Sequence, residues 1–158
     1  MKLTILVGTM TSTADYVAQA IEMDCADLVA AIEVRLMDDL DSGIFDVEKS
    51  NDTLYLICTS TYGSGDVPDN AQAFYESLAF QPQFLGHVRY GVIALGDSGS
   101  HQSTFCFGGK KFDERLRDLG AQRVGEICCL DASSEALPET AGVHWCREWL
   151  AKAGCEGS

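Results

Sequence analysis

The chain has 158 residues, of which 46% are hydrophobic and 22% charged, and its formal net charge is −13 at neutral pH. This length and balance predict a single globular domain, spanning residues 1–158, whose core needs no disulfide bonds. The negative charge disfavours nucleic acid and membrane surfaces as partners and favours a basic protein partner, although solubility alone would also account for it.

The first half of the chain predicts a central strand, a helix and an edge strand. Residues 2–8, "KLTILVG", form a short apolar run that is typical of a buried strand. A helix follows, because apolar residues then recur three and four positions apart. These residues are Ala14, Val17, Ala18 and Ile21. Residues 32–37, "IEVRLM", alternate with period two, as in an edge strand, and residues 38–52 are acidic and irregular.

The second half continues the alternation of strands and helices. Apolar runs predict strands at residues 53–59, 89–95 and 125–130. Helical spacing predicts helices at residues 68–78 and 108–120, the latter stopped by Gly120, and then a last helix. The inward-facing residues of these helices are predicted to be Ala71, Phe74, Tyr75 and Leu78, then Phe112, Leu116 and Leu119, then Cys146, Trp149, Leu150 and Ala153.

Strands that alternate with helices predict a parallel sheet covered by helices on both faces. Sheets of this kind bind ligands beyond the carboxyl ends of their strands, where the strand order reverses. The loops after strands one, three and four are therefore expected to converge on one site. These loops cover residues 8–15, 60–69 and 96–109.

The first of these loops, "GTMTSTAD" at residues 8–15, carries four hydroxyl side chains and no lysine or arginine. The hydroxyls belong to Thr9, Thr11, Ser12 and Thr13. A loop entering a helix presents unpaired N–H groups and the positive end of the helix dipole, which together hold a phosphate without a cation. The hydroxyls suit the three free oxygens of a terminal phosphate monoester. Helix capping alone is the alternative, but one cap needs one hydroxyl.

Other phosphate-binding patterns do not match. The dinucleotide motif G-x-G-x-x-G is absent after the first strand, and Thr104 stands where a P-loop ending at Lys110 would need its first glycine. A receiver domain would need acidic residues after the first strand, and a small tyrosine phosphatase would need cysteine and arginine in the first loop. Neither loop composition is present.

The other two loops carry rings. The second loop places Tyr62 beside Gly63, and the third contains His101 and Phe105. A phosphate site flanked by loops with rings predicts a planar ring system held between them. Ordinary packing for Tyr62 and a solvated position for His101 remain the alternatives.

The seven cysteines form no C-x-x-C motif, and several lie in apolar runs. This usage is typical of core residues in a reducing compartment, and with no signal peptide evident a cytoplasmic location is expected. A redox-active pair of Cys128 and Cys129 is disfavoured, because adjacent strand residues point to opposite faces.

Two stretches, "TSTYGSGDVPDNAQAFYESL" and "GDS…TFCFGGKKFDERLRDLGAQRV", resemble the flavodoxin family. The resemblance extends over residues 3–150 and is strongest to short flavodoxins and to the FMN domains of diflavin reductases, such as cytochrome reductase and the sulfite reductase flavoprotein. It implies a flavodoxin-like, doubly wound sheet of five parallel strands in the order 2-1-3-4-5. It also implies noncovalently bound FMN.

The resemblance implies a set of FMN-binding residues in the three loops and after the last strand. The phosphate would contact Thr9, Met10, Thr11, Ser12, Thr13 and Ala14. The ring system would contact Ser60, Thr61, Tyr62, Gly63, Leu95, Gly96, Asp97, Ser98, His101, Thr104, Phe105, Cys106 and Asp131. Two departures stand out, because the family usually has glycine at Ser12 and an aromatic residue before the Thr-Phe-Cys segment. Here the third loop is longer, so that His101 or Phe105 is expected to cover the second ring face, or that face is partly open.

The resemblance implies an electron carrier rather than an enzyme. It would shuttle single electrons from a flavoprotein reductase to an acceptor redox enzyme through the semiquinone and hydroquinone of FMN. The Gly63 carbonyl is expected to accept a hydrogen bond from N5–H of the reduced flavin. The alternatives are an FMN-dependent NAD(P)H:quinone or flavin reductase, with Lys110, Lys111 and Arg115 as candidate ligands of a nucleotide phosphate, and a flavin-free scaffold.

Overall fold

The computed structural model describes residues 2–9, 13–46, 53–61, 67–80, 83–96, 106–131 and 137–154. Within these ranges the strands are β1 (Lys2–Gly8), β2 (Ala31–Leu36), β3 (Thr53–Thr59), β4 (Arg89–Gly96), β5 (Gln122–Arg123) and β6 (Cys128–Asp131). The helices are α1 (Thr13–Asp24), α2 (Asp69–Phe80), α3 (Phe107–Asp118) and α4 (Pro138–Lys152). Two short 3₁₀ turns, Met37–Asp39 and Ser42–Phe45, occupy the start of the acidic stretch.

All strand pairs in the sheet are parallel, and the order is β2-β1-β3-β4, with β5 and β6 both paired to β4. The predicted fold class and strand order are therefore confirmed. As expected, β2 lies at an edge of the sheet, and each of its residues is exposed or partly exposed. The direction of the chain across the sheet reverses between β1 and β3, so the carboxyl ends of these two strands form the switch point.

The predicted fifth strand, residues 125–130, is observed as β6, which begins later, at Cys128, and pairs with residues 93–96. The short strand β5 lies before the predicted bounds, pairs with Arg89 and Tyr90, and was not predicted. From Tyr90 to Ile93 the chain advances three residues, whereas its partner advances five, from Arg123 to Cys128. The extra residues surround Gly125, whose φ of +72° lies in the left-handed region and interrupts an extended strand.

The helices cover the two faces of the sheet as predicted. Helices α2 and α3 pack on one face, and α1 and α4 on the other, each over a separate apolar cluster. The predicted inward stripe of α2 is buried except for Tyr75, which is partly buried. Helix α3 ends before Gly120, which has a φ of +96° and is the predicted stop.

Within the described part of the chain, no helix combines the length and apolar character that crossing a membrane requires.

Candidate cofactor site

The carboxyl ends of β1, β3, β4 and β6 lie side by side at one edge of the sheet. The register pairs Gly8 with Thr59, Thr59 with Ala94, and Gly96 with Asp131. The Ser60 N–H donates to the Gly8 carbonyl at 2.8 Å, which joins the start of the first and second loops. The described ends of the three predicted loops therefore emerge next to one another.

The first loop is held in place by a side chain from another element. The Thr9 N–H donates to Asn70 Oδ1 at 2.8 Å. The Asn70 amide in turn donates to the Val7 carbonyl at 3.3 Å and to Asp38 Oδ1 at 3.1 Å. Asn70 is the second residue of α2, so it connects the first loop, the end of β1 and the turn that follows β2.

Asn70 is not among the binding residues predicted from the sequence. The available signal was its place in "VPDNA", directly after a predicted helix start at the end of the second loop. Because the loop after strand three lies beside the loop after strand one only when β1 and β3 pair, local pattern by itself could not identify its partners.

The Thr9 hydroxyl is the unusual group of this edge. Thr9 Oγ1 is buried and has no hydrogen-bond partner, the only side-chain oxygen or nitrogen in this condition within the described residues. A buried hydroxyl without a partner costs about 1–3 kcal/mol, so native proteins rarely retain one unless a ligand or water completes it. A bound phosphate oxygen beside the first loop would complete it.

The second and third loops are connected through Thr61. Its hydroxyl donates to the Leu95 carbonyl at 3.0 Å and accepts from the Gly108 N–H at 3.1 Å. Gly108 approaches the second loop so closely that a Cβ built on it would lie 2.4 Å from the Ser60 carbonyl oxygen. The start of α3 therefore packs directly against the second loop, and only glycine fits there.

The remaining described residues of the predicted set contribute mainly backbone or core packing. The side chains of Ala14 and Leu95 are buried in the core under α1 and α4. The Cys58 thiol, whose pKa is raised by burial, donates to the Ala14 carbonyl at 3.4 Å. The buried Cys106 thiol donates to the Ala94 carbonyl at 3.5 Å, and Asp131 lies half-buried at the end of β6.

The described members of the predicted set all lie at this edge. They are Thr9, Thr13, Ala14, Ser60, Thr61, Leu95, Gly96, Cys106 and Asp131. The other members lie outside the described residues, and their roles stay predictions. They are Met10, Thr11, Ser12, Tyr62, Gly63, Asp97, Ser98, His101, Thr104 and Phe105.

Among known proteins, the profile of the flavodoxin family matches residues 5–145 of this chain. The chain belongs to the flavodoxin family. It is 41% identical to flavodoxin YqcA of Escherichia coli over 149 residues, which cover 92% of this chain and 93% of that protein. A cysteine-to-serine mutant of flavodoxin from Pseudomonas aeruginosa has the same fold, with a TM-score of 0.79 and 31% identity over 96% of this chain and 98% of that one.

A third relative is a larger redox protein. The chain is 37% identical over 150 residues to the sulfite reductase [NADPH] flavoprotein alpha-component of Vibrio cholerae, covering 94% of this chain but 23% of that protein. The flavodoxin family binds FMN, so this flavodoxin is an FMN-binding electron carrier. The residues present fit that cofactor, because the buried Thr9 hydroxyl lacks a partner where the family's phosphate loop lies.

Proposed function

We propose that this flavodoxin takes single electrons from a flavoprotein reductase and passes them to an acceptor redox enzyme. The observation that carries the proposal is the unpartnered Thr9 hydroxyl in a loop held by Asn70. A phosphate oxygen at the switch point of the sheet would accept from this hydroxyl and remove its unsatisfied state. The similarity to part of an NADPH-dependent sulfite reductase flavoprotein supports a flavoprotein as the electron donor.

When bound, FMN supplies one- and two-electron redox chemistry, and the protein supplies position and electrostatics. Thr9 and the N–H groups at the start of α1 would hold the phosphate. Thr61, fixed between Leu95 and Gly108, would hold the second loop against the ring system. The carboxylate of Asp131 would oppose the build-up of negative charge at this edge.

The proposed partners dock through basic surfaces. Asp38 and Asp69 are exposed on either side of Asn70, next to the first loop. Residues 1–80 carry 14 acidic and 3 basic side chains, whereas residues 81–158 carry 10 and 8. The first half of the chain, which supplies the first and second loops of this edge, therefore carries most of the negative charge that would attract a basic partner.

The alternative role as an NAD(P)H-dependent reductase receives little support from its candidate cations. The Arg115 guanidinium lies 4.1 Å from the Tyr75 ring centroid and donates to the Tyr75 carbonyl at 3.0 Å. Lys110 lies over the Phe107 ring at 5.2 Å. Arg115 is therefore committed to packing between α2 and α3 and is poorly placed to bind a nucleotide phosphate.

The deciding experiment follows the flavin absorbance of the FMN-loaded protein under anaerobic conditions. NADPH alone is expected to leave the flavin oxidised, and NADPH with a catalytic amount of a flavoprotein reductase is expected to bleach it. Subsequent addition of an oxidised haem protein should restore the absorbance. Rapid bleaching by NADPH alone would contradict the carrier role and favour the reductase.

A further inference from the structure

Two thiols from different elements meet beside the cofactor site. Cys106 directly precedes α3, and its thiol lies 3.5 Å from the Ala94 carbonyl oxygen. Cys129 lies on β6 and pairs in register with Ala94 of β4. Cys128 packs toward α1 and α4, so the alternation of β6 directs Cys129 to the opposite face, where Cys106 and α3 lie. Both thiols therefore flank Ala94 on the same face of the sheet, close enough to interact.

The two thiols are chemically unequal. Cys129 is exposed, whereas Cys106 is 1% exposed. The interaction with the Cys106 thiol and the nearby charge of Lys110, acting against partial burial, lower the pKa of Cys129 to about 7. The same contact and burial raise the pKa of Cys106. At neutral pH part of the Cys129 population is thus an accessible thiolate, which is the nucleophilic form of cysteine, whereas Cys106 is a protonated thiol behind it.

The described residues contain a second pair of neighbouring thiols, which differs from the first pair in its exposure to solvent. The thiols of Cys25 and Cys146 also interact with each other, but both residues are 0% exposed. Burial raises the pKa of Cys128 to about 12, so its thiol stays protonated at neutral pH. Among the described cysteines, only Cys129 combines exposure, a lowered pKa and a thiol partner within reach.

We propose that Cys129 and Cys106 form a reversible oxidation site, with Cys129 as the attacking thiol and Cys106 as the resolving thiol. The Cys129 thiolate attacks the terminal oxygen of a hydroperoxide and breaks its O–O bond. Cys129 becomes a sulfenic acid, and the departing oxygen takes up a proton and leaves as an alcohol or water. The Cys106 thiol then attacks the sulfenyl sulfur, an S–S bond forms, and the hydroxyl leaves with the thiol proton as water. Two thiols are oxidised and one hydroperoxide is reduced.

The disulfide would tether two elements of the cofactor site. It would join β6, two residues before Asp131, to the residue at which the third loop enters α3. The thiol pair would therefore be oxidised and reduced at the edge where the flavin binds. This thiol chemistry is separate from electron transfer by the flavin.

The test uses the FMN-loaded protein, first reduced and then exposed to hydrogen peroxide, alkylated and digested with trypsin. Mass spectrometry is expected to find a peptide pair joined by a Cys106–Cys129 disulfide that disappears after treatment with dithiothreitol. Fragmentation must assign the bond, because one tryptic peptide, residues 124–147, contains Cys128, Cys129 and Cys146. A bond from Cys106 to Cys128, a bond only between two protein molecules, or an unreacted Cys129 would overturn the proposal.

Variants separate the two roles. In Cys106→Ser the sulfenic acid is expected to persist at Cys129, where dimedone traps it, and in Cys129→Ser neither product is expected. Cys128→Ser is the matched control and should form the disulfide as the unaltered protein does. In Lys110→Gln the pH midpoint for alkylation of Cys129 by iodoacetamide should rise, since a positive charge that favours the thiolate is lost. Dimedone adducts at Cys106 in place of Cys129 would mean that Cys106 is the attacking thiol, and this result would overturn the proposal.

Discussion

The Thr9 hydroxyl and the Asn70 amide are the two groups that define the first loop at the scale of single residues. One is buried without a partner, and the other makes three hydrogen bonds that hold the loop. The unpartnered Thr9 hydroxyl therefore lowers the stability of the apoprotein, and the Asn70 amide orders the first loop for binding. Their substitution should separate stability from cofactor affinity.

Replacing Thr9 with valine should shift apoprotein stability and FMN affinity in opposite directions. The apoprotein is expected to gain about 1 kcal/mol, because an unsatisfied buried hydroxyl is removed with little change of shape. FMN should bind about fivefold more weakly, because one hydrogen bond to the phosphate is lost. Thermal unfolding of the apoprotein and calorimetric titration with FMN measure the two effects. Thr9→Ser serves as the control and should bind FMN nearly normally; equal affinity of the valine variant would refute the role of the hydroxyl.

Replacing Asn70 with alanine should weaken FMN binding by about tenfold, because it leaves the Thr9 N–H unpaired and frees the loop. Asn70→Asp should bind more weakly still, since a second carboxylate would face Asp38 and the phosphate. Fluorescence titration of FMN with the apoprotein gives both dissociation constants. Ser77→Ala is the control, because the Ser77 hydroxyl only donates to the Phe74 carbonyl at 2.6 Å, further along the same helix. An alanine variant at position 70 with unchanged affinity would show that the loop orders itself.

At the scale of elements, α3 connects the site to the far edge of the sheet. Its first turn packs on the second loop through Gly108 and on β4 through Gly109, where a Cβ would lie 2.5 Å from Ala94 Cβ. Its middle holds Asp113, which is 6% exposed. This carboxylate accepts from the Tyr90 hydroxyl at 2.6 Å and from Arg123 Nη1 at 2.7 Å. The same helix thus fixes both the second loop and the short strand β5.

The adjacent glycines of α3 offer a matched pair of substitutions. Gly108→Ala and Gly109→Ala should each destabilise the fold by about 1–3 kcal/mol, because both introduce a methyl group into a packed contact. Only Gly108→Ala should also lower FMN affinity markedly, since its Cβ would push against the backbone of Ser60. Chemical denaturation of the apoproteins and FMN titration separate the two effects. Equal loss of affinity in both variants would mean that α3 acts on the site only through global stability.

At the scale of the whole molecule, the direction of the helices decides which charges surround the site. Helices of a parallel sheet run opposite to the strands, so their first turns lie at the carboxyl edge where the site is. Asp69 begins α2 at this edge, whereas Glu148 lies in the second half of α4, toward the opposite end. Both side chains are exposed and carry the same charge.

Electron transfer to a basic acceptor should therefore depend on position as well as on net charge. With cytochrome c as acceptor, the rate is expected to fall as salt rises, and at low ionic strength Asp69→Asn should slow transfer about twofold. Glu148→Gln removes the same charge at the other end and should change the rate far less. Stopped-flow measurement over a range of ionic strengths tests both. Equal slowing by the two variants would show that net charge acts without a specific docking edge.

Much of the architecture was predictable because it rests on short-range patterns. The apolar runs of β1, β3 and β4 and the helical stripe of α2 are patterns of residues that are close in sequence. Each of these elements lies within a few residues of its predicted bounds. The short strand β5 was not predictable from the sequence. Arg123 and Gln122 look polar and irregular, and they join the sheet because β4 and Asp113 of α3 provide partners that only the folded chain brings near.

The sequence by itself determined the class of fold and the hydroxyl-rich first loop, because burial periodicity and local side-chain chemistry need no long-range contact. The tertiary structure alone decided that Asn70 anchors Thr9 across 61 residues of chain and that Cys106 meets Cys129. Both pairings arise from strand order and register, which bring the ends of distant segments to one edge of the sheet. The spacing of residues along the chain does not show which distant residues become neighbours.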